Sequence, residues 1–354
     1  MKLNRRIAVA MSGGVDSSVA AALLASENEE VFGVMLRLWS VAGDRPNRCC
    51  SPEDVAVARA VAVQLGIPFY VIDARKPFKN RVVEFFVDGY ARGVTPNPCM
   101  ECNRHIRWGF LLRNVEAMGA THLATGHYAR VSGENGRHHL LRAVDRAKDQ
   151  SYVLSVLTQE QLGKAVFPLG TFTKDQVRQH ARRLGLAVAE RPDSQDLCFV
   201  GGDYREFLRL HGHMQAAPGP IVDPSGKQIG RHQGLPRYTI GQRKGIGIPA
   251  HHPLYVMHKD VATNTLVVGP QEALGRRSFR VAGVNWVSGE APAAGERVEV
   301  RARYKAREFP ANVHPLPGGC IEVALLEPSP DVTPGQAAVF YNGERCLGGG
   351  TILP

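Results

Sequence analysis

The apolar run Ile7-Ala-Val-Ala-Met11, followed at once by Ser12-Gly-Gly-Val-Asp16-Ser17-Ser18, constrains this chain more than any other stretch. Residues 7 to 11 read as a buried strand, and Val15 onward, through Ala20-Ala-Ala-Leu-Leu24, reads as a helix. Between them, Gly13 and Gly14 let the backbone come close to an anion. Strand, glycine turn and helix in that order make a phosphate seat. The free N–H groups of the first helical turn, with its positive dipole end, favour a bound anion by ~0.3–1 kcal/mol when exposed and by more when enclosed. No G-x-x-x-x-G-K-[ST] occurs in the chain and no lysine follows the glycines, so a different nucleotide chemistry is implied. The plain alternative is a glycine-containing strand-to-helix turn with a Ser or Asp cap.

Apolar segments recur at 31–38, 67–73 and 122–128, alternating with helical stretches up to about residue 200. This alternation predicts an α/β fold with a doubly wound parallel sheet. A helix from Pro52 to Leu65 is marked by Ser51 as cap, Pro52 at its first position, acidic Glu53 and Asp54, and Gly66 at its end. Thr173-Lys-Asp-Gln176 opens another through a capping box. Ligands of open parallel sheets sit beyond the carboxyl ends of strands, where Ser12–Ser17, Arg37–Trp39 and Thr125–Tyr128 would lie. These three segments are therefore expected to converge. From about 205 to 270 the chain turns to Gly, Pro, His and basic residues, including Gly241-Gln-Arg-Lys-Gly245-Ile-Gly-Ile-Pro249, and reads as a small, loop-rich central module. Beyond about 275 alternating strands such as 298–304 and 336–341, with Asn342-Gly343 as a hairpin signal, predict a small antiparallel β-barrel. The expected divisions are 1–204, 205–272 and 273–354.

Forty-three Lys and Arg against thirty-three Asp and Glu give a formal charge of +10, which favours a polyanionic partner such as nucleic acid. A solvated basic surface gives the same balance. Arg301, Arg303, Tyr304, Lys305 and Arg307 are expected to place several charges and an aromatic on one barrel strand face, suited to tracking phosphates. No run of eighteen or so apolar residues appears, and the first strand leaves no room for a cleavable signal, so the expectation is a cytoplasmic protein with no membrane partner. The seven cysteines, an odd number, are then expected to be reduced.

Thr95-Pro-Asn-Pro-Cys99-Met-Glu-Cys102-Asn103 sets two thiols three apart before a helical stretch expected to begin near Asn103. A helix N-terminus lowers a thiol pKa, so thiolate chemistry at Cys102 is one reading. Half of a zinc site is another, although no second pair of ordinary spacing completes it. Asp193-Ser-Gln-Asp-Leu-Cys198-Phe199 is a second thiol segment whose acidic approach is unlike that of a core cysteine. Cys320 and Cys346 read as small core residues, whereas Cys49 and Cys50 follow a polar loop and receive no role.

The Ser-Gly-Gly-x-Asp-Ser form resembles the pyrophosphate loop of the ATP pyrophosphatases, which split ATP into AMP and pyrophosphate while adenylating an unreactive oxygen. Taken with Thr95–Asn103, Ala124-Thr-Gly-His-Tyr128, Lys148-Asp-Gln-Ser-Tyr152, Asp193–Phe199 and Cys346-Leu-Gly-Gly-Gly350, it makes the chain resemble the bacterial tRNA-specific 2-thiouridylases over almost its whole length. The resemblance implies ATP-dependent replacement of the C2 oxygen of the wobble uridine by sulfur, in tRNAs for Lys, Glu and Gln. It assigns ATP to Ala10, Met11, Ser12, Gly13, Gly14, Val15, Asp16 and Ser17, with Met35 and Gly126, and lets Asp16 help bind Mg2+ with the pyrophosphate. Cys198 would carry the sulfur as a persulfide supplied by a cysteine desulfurase or sulfur-relay protein, and Cys102 would be its partner thiolate. Asn97, Pro98 and Cys99 match the loop that meets the target base, while His127, Lys148, Asp149, Gln150, Arg303, Tyr304 and Gln336 match tRNA-contact positions. For His127 a hydrogen-bonded histidine at a strand end is the alternative. Many relatives carry Asp where this chain has Cys99, so an acid or base at that place is lost. Cys99, Cys102 and Cys198 could instead hold an iron–sulfur cluster with one open iron site. Two further classes stay open: a small-molecule adenylating synthetase, and a zinc-stabilised RNA-binding protein.

Overall fold

The computed structural model describes residues 5–27, 29–39, 51–193, 197–212 and 217–354. Strand β1 (Arg6–Ala10) lies at the centre of a parallel sheet, with Ile7, Ala8 and Val9 fully buried. It pairs on one side with β2 (Glu30–Arg37), which pairs with β3 (Phe69–Asp73). On its other side lies β4 (His122–Thr125). Burial on both faces explains why these strands read as unbroken apolar runs. Helix α1 (Val15–Ser26) packs Val19, Ala20 and Ala21 into the core, and α2 (Pro52–Gln64) starts at the expected Ser51 cap, which Asp54 closes into a capping box. Thr173 caps the helix Lys174–Arg183 in the same way.

Two more strands follow β4 as an antiparallel hairpin, β5 (Ala129–Glu134) and β6 (Arg137–Arg142). The short β7 (Ala165–Val166) completes the parallel sheet, whose order is β3-β2-β1-β4-β7. The order reverses beside β1, so the loops after β1 and β4 flank the topological switch point.

The central stretch is more regular than a loop-rich module. Strands β8 (Gly219–Val222), β9 (Gln228–His232), β10 (Tyr255–Asp260) and β11 (Thr265–Gly269) form a four-stranded sheet of order β10-β11-β8-β9. Ile221, Ile240, Ile246, Val256 and Leu266 make its small core. The strands are short and broken by bulges and glycine turns, which hides their alternation in the sequence.

At the C-terminal end, β12 (Arg276–Trp286), β13 (Arg297–Arg301), β14 (Phe309–Pro315), β15 (Ile321–Ser329), β16 (Ala337–Asn342) and β17 (Arg345–Ile352) form an antiparallel barrel. It closes because β12 pairs with both β15 and β17. Residues Asn342 and Arg345 pair across the predicted hairpin. The barrel sheet then runs on into the first part of the chain, since Cys346 and Arg345 of β17 pair with Leu140 and Leu141 of β6.

This joint is heavily polar. The buried Arg142 donates to both oxygens of Glu308 at 2.5 and 2.8 Å and lies 3.7 Å over the Tyr341 ring. Tyr152 Oη donates to the Ala337 carbonyl at 2.9 Å. Among the described residues no helix is long and apolar enough to cross a membrane.

Candidate active site

The turn after β1 has the geometry of an anion seat. Gly13 adopts φ +73°, and a Cβ there would stand 2.8 Å from the Asp54 carbonyl oxygen, so a side chain at this position meets strain and a clash together. Gly14 is the N-cap of α1 and supplies no side-chain cap, which leaves the first-turn N–H groups open to a ligand. Ser17 Oγ accepts from Ser12 N at 3.1 Å and lies 3.2 Å from Ser12 Oγ, so the two hydroxyls are held side by side. The end of β4 presses onto this turn. A Cβ on Gly126 would be 2.8 Å from Ser17 N, and Tyr128 Oη donates to Asp16 Oδ1 at 2.8 Å. The segments at 12–17 and 125–128 thus converge as expected. Met35 is buried on β2 beside them, in the same core as Met11 and Val15.

A basic ring surrounds the seat. Lys174 Nζ donates to both Asp16 oxygens, at 2.7 and 2.8 Å, and lies 2.8 Å from Asp193 Oδ1. Lys148 donates to Asp193 Oδ2 at 2.8 Å and Arg178 to Asp193 Oδ1 at 3.1 Å. Burial works to raise the Asp193 carboxyl, but its hydrogen bonds from Lys148 and Lys174 outweigh it and hold the group down to about 2. The Asp193 hydrogen bond likewise raises Lys148. Arg191 donates to the Gly13 carbonyl at 2.8 Å and to Asp54. Sequence reasoning missed Lys174, Arg178 and Arg191. The fold alone brings Lys174 to Asp16 across 158 positions and Arg191 to Gly13 across 178, so the sequence carries no local signal for them beyond the capping box that opens the Lys174 helix.

The thiol helix begins earlier than expected. Asn97 is its N-cap, accepting from Met100 N at 3.3 Å, and Pro98 takes the first position. The helix then continues through a π-helical stretch, Cys102–Leu111, and Leu112–Ala117. An Asn-Pro start outweighs the one read near Asn103. Cys102 therefore sits a full turn inside the helix and is buried, and the argument from a helix N-terminus does not apply to it. Cys99, in the first turn, is exposed to solvent. Its dense surroundings push its thiol up to about 12, with Cys198 and then Cys102 adding repulsion and Arg107 opposing. Cys198 packs on the core that holds Cys102. Residues 194–196 of that motif, and Cys49 and Cys50, lie outside the described residues. Cys346 is buried, as expected of a core thiol, and burial pushes it up to about 12.

Several residues expected at the RNA are committed within the protein. His127 is buried, with Nδ1 2.7 Å from Thr125 Oγ1 and Nε2 3.3 Å from Arg107; burial, then Arg107, holds it well below its usual range and neutral. The geometry is that of a hydrogen-bonded histidine at a strand end. Asp149 is buried and accepts from Ala143 N at 3.0 Å and Ser151 Oγ at 2.8 Å. Gln150 Oε1 accepts from Tyr128 N at 3.0 Å. Gln336 donates to the Thr95 carbonyl at 3.0 Å and so ties the barrel to the base loop. Arg303 donates to the Ile240 carbonyl at 2.8 Å and to Thr333, joining the central sheet to the barrel.

The expected basic strand face is not formed, because β13 ends at Arg301 and 302–306 turn away. Arg301 pairs with Glu308 at 2.5 Å and Arg307 stacks on Phe309. Tyr304 and Lys305 remain exposed.

Three family models match in order: a tRNA methyl transferase HUP domain over residues 5–202, a tRNA methyl transferase PRC-barrel domain over 205–270, and an aminomethyltransferase beta-barrel domain over 276–352. The chain is 48% identical over 368 residues to a tRNA-specific 2-thiouridylase MnmA of Roseiflexus sp. (strain RS-1), covering 98% of this chain and 99% of that one. It is 48% identical over 350 residues to that of Chloroflexus aurantiacus (strain ATCC 29366 / DSM 635 / J-10-fl), covering 98% of each. With the protein of the same name from Geobacter metallireducens the identity is 47% over 359 residues, covering 99% and 97%. A glycine-turned anion seat and a helix bearing Cys99 and Cys102, on a chain matched over 98% of its length by these relatives, place it in the tRNA-specific 2-thiouridylase family.

Proposed function

We propose that this chain is a tRNA-uridine 2-sulfurtransferase that uses ATP to thiolate C2 of the wobble uridine in tRNAs for Lys, Glu and Gln. The observation that carries the mechanism is the packing of Cys198 against the core that holds Cys102, whose helix also bears Cys99. A uracil C2 carbonyl is urea-like and its oxygen leaves poorly. Attack of that oxygen on the α-phosphate of ATP expels pyrophosphate into the seat formed by Ser12, Gly13, Gly14 and Ser17. The terminal sulfur of a Cys198 persulfide then forms a bond to C2 while the C2–O bond breaks and AMP departs with that oxygen. Cys102 thiolate attacks the Cys198 sulfur, the S–S bond breaks toward the base, and 2-thiouridine leaves with a Cys102–Cys198 disulfide behind it. An external thiol reductant restores both cysteines. Asn97, Pro98 and Cys99 would border the extruded base, and Tyr304 and Lys305 would face the RNA.

Magnesium suits Asp16, since this cation is commonly bound by one or two carboxylates together with substrate phosphates. Asp16 would hold it, and it would neutralise charge on the departing pyrophosphate. An iron–sulfur route is the second reading for the same thiols. A cysteine desulfurase or relay protein would supply the sulfur, in the cytoplasm. The working divisions are 1–204 for adenylation, 205–272 for a central tRNA-contacting module and 273–354 for the barrel.

The test is thiolation of tRNA with ATP and a persulfide donor. Cys198→Ser and Cys102→Ser should each abolish 2-thiouridine in digested tRNA while ATP binding persists, and retained thiolation by Cys198→Ser discards the persulfide role. Pyrophosphate release with a small-molecule acceptor and no tRNA would favour a synthetase instead.

A further inference from the structure

His127 was expected at the RNA, yet the fold buries it between the anion seat and the thiol helix. The contacts of its ring fix its tautomer. Arg107 Nη1 lies 3.3 Å from Nε2, and a guanidinium can only donate, so Nε2 carries the lone pair. Nδ1 therefore carries the proton and donates it to Thr125 Oγ1 at 2.7 Å. Both ring nitrogens are spent and the imidazole is neutral, in keeping with burial and Arg107, which hold the ring well below its usual range. The Phe167 ring stands edge-on to His127 at 6.2 Å and to Trp108 at 5.6 Å. The bond to Arg107 is thus made in apolar surroundings, where a hydrogen bond is stronger than in water.

The two ends of this contact belong to the two halves of the chemistry. Arg107 stands five positions after Cys102, the span of one π-type hydrogen bond in the stretch Cys102–Leu111, and the helix is unbroken from Pro98 to Ala117. Thr125 ends β4, and His127 directly follows Gly126, where a methyl group would stand 2.8 Å from Ser17 N of the seat. We propose that His127 is a positioning residue that fixes the thiol helix against the nucleotide seat, so that sulfur reaches the adenylated base before water does. That base has two fates. Sulfur attack at C2 breaks the C2–O bond, releases AMP and gives 2-thiouridine. Water attack at C2 breaks the same bond, releases the same AMP and returns uridine. Sulfur transfer depends on where the helix is held, and a misplacement of ~1 Å costs such a step ~100-fold, whereas water needs no such placement. The acceptor at Nε2 is what His127 supplies. The inference rests on the reading of residues 12–17 as the ATP seat and of Cys102 and Cys198 as the sulfur-handling pair.

The experiment is the ratio of 2-thiouridine formed to pyrophosphate released, in the full chain with tRNA transcript, magnesium ATP, a thiol reductant, and cysteine with a cysteine desulfurase as the sulfur source. Nucleosides are counted by mass spectrometry, and tRNA binding is measured separately by filter retention. His127→Leu removes the acceptor and should lower the ratio about tenfold or more while tRNA retention is unchanged. His127→Gln, whose Oε1 can accept in place of Nε2, should restore most of it. Arg107→Met should match His127→Leu, and the double variant should be no worse than either, since all three remove one bond. Where His127→Leu fails to fold, Arg107→Met and His127→Gln decide the matter. A wild-type ratio in folded His127→Leu or Arg107→Met overturns the positioning role, as do losses that multiply in the double variant. Weakened tRNA retention with a normal ratio also overturns it, in favour of a direct RNA contact. A wild-type chain that makes no 2-thiouridine would overturn the sulfurtransferase reading instead.

Discussion

Gly126 is where adenylation is most exposed to a single methyl group. A Cβ at this position would stand 2.8 Å from Ser17 N, 2.9 Å from the Asp16 carbonyl carbon and 3.1 Å from Ser17 Cα. Ordinary contact begins at 3.4 Å, so the nearest approach is short by about 0.6 Å. All three atoms are backbone of the first turn of α1, and no side chain can rotate away. The methyl group must push the end of β4 from the phosphate seat or move the seat itself. Overpacking of this kind costs ~1–3 kcal/mol of stability, and a shift approaching 1 Å at reacting groups costs ~100-fold in rate. Gly126→Ala should therefore lower kcat/KM for ATP in tRNA-dependent pyrophosphate release by ~100-fold, with a urea midpoint only modestly reduced. Binding of tRNA, measured by filter retention, should be unchanged, because the barrel and base loop lie outside the clash. A Gly126→Ala enzyme within about twofold of wild-type kcat/KM would refute the reasoning, since it would show that the switch-point contact carries no geometry the reaction needs.

Two other substitutions test the joints between the parts of the chain. Lys259 is buried, donates to the Tyr238 carbonyl at 3.0 Å, lies 5.7 Å from the Tyr90 ring centroid, and is pushed down by burial to about 8 from 10.5. Between those values the unfolded chain binds more protons than the folded one, so stability from this group rises as pH climbs from 8 toward 10.5 and is flat below 8. Lys259→Met should raise the urea midpoint at pH 7 and abolish that rise; an unaltered pH profile in the variant rejects Lys259 as its source. Arg142→Met leaves Glu308 with Arg301 alone and uncovers the Tyr341 ring, and should cost ~1–3 kcal/mol in urea unfolding. A loss below about 1 kcal/mol would show the β6–β17 joint to be solvated.

Much of the fold could be read because its signals are local. The buried strand at Ile7–Val9, the helix caps at Ser51 and Thr173 and the Asn342-Gly343 turn each act within a few residues, and each is where it was expected. Failures came where partners are distant. The hairpin β5–β6 was not read, because its stability comes from pairing with β17 some two hundred residues later. The basic face at 301–307 dissolved for the same reason: Glu308, Thr333 and Phe309 claim Arg301, Arg303 and Arg307. Lys174 was invisible as a site residue, since only tertiary structure sets an ammonium at a loop that lacks one. The thiol helix is different. Its Asn97-Pro98 start is legible by the ordinary rules of capping, an Asn cap followed by Pro at the first helical position.

That helix also bears on the order of the proposed steps. Neighbouring sulfur, from Cys198 and then Cys102, adds to the upward push on the Cys99 thiol, so this site resists a second negative charge. In the proposed reaction a persulfide anion on Cys198 would be the first charge there. Once its terminal sulfur were bonded to C2, Cys198 would be part of a neutral disulfide, and that charge would be gone before the resolving thiol attacks. The proposed order of steps therefore needs no dedicated acid or base at position 99.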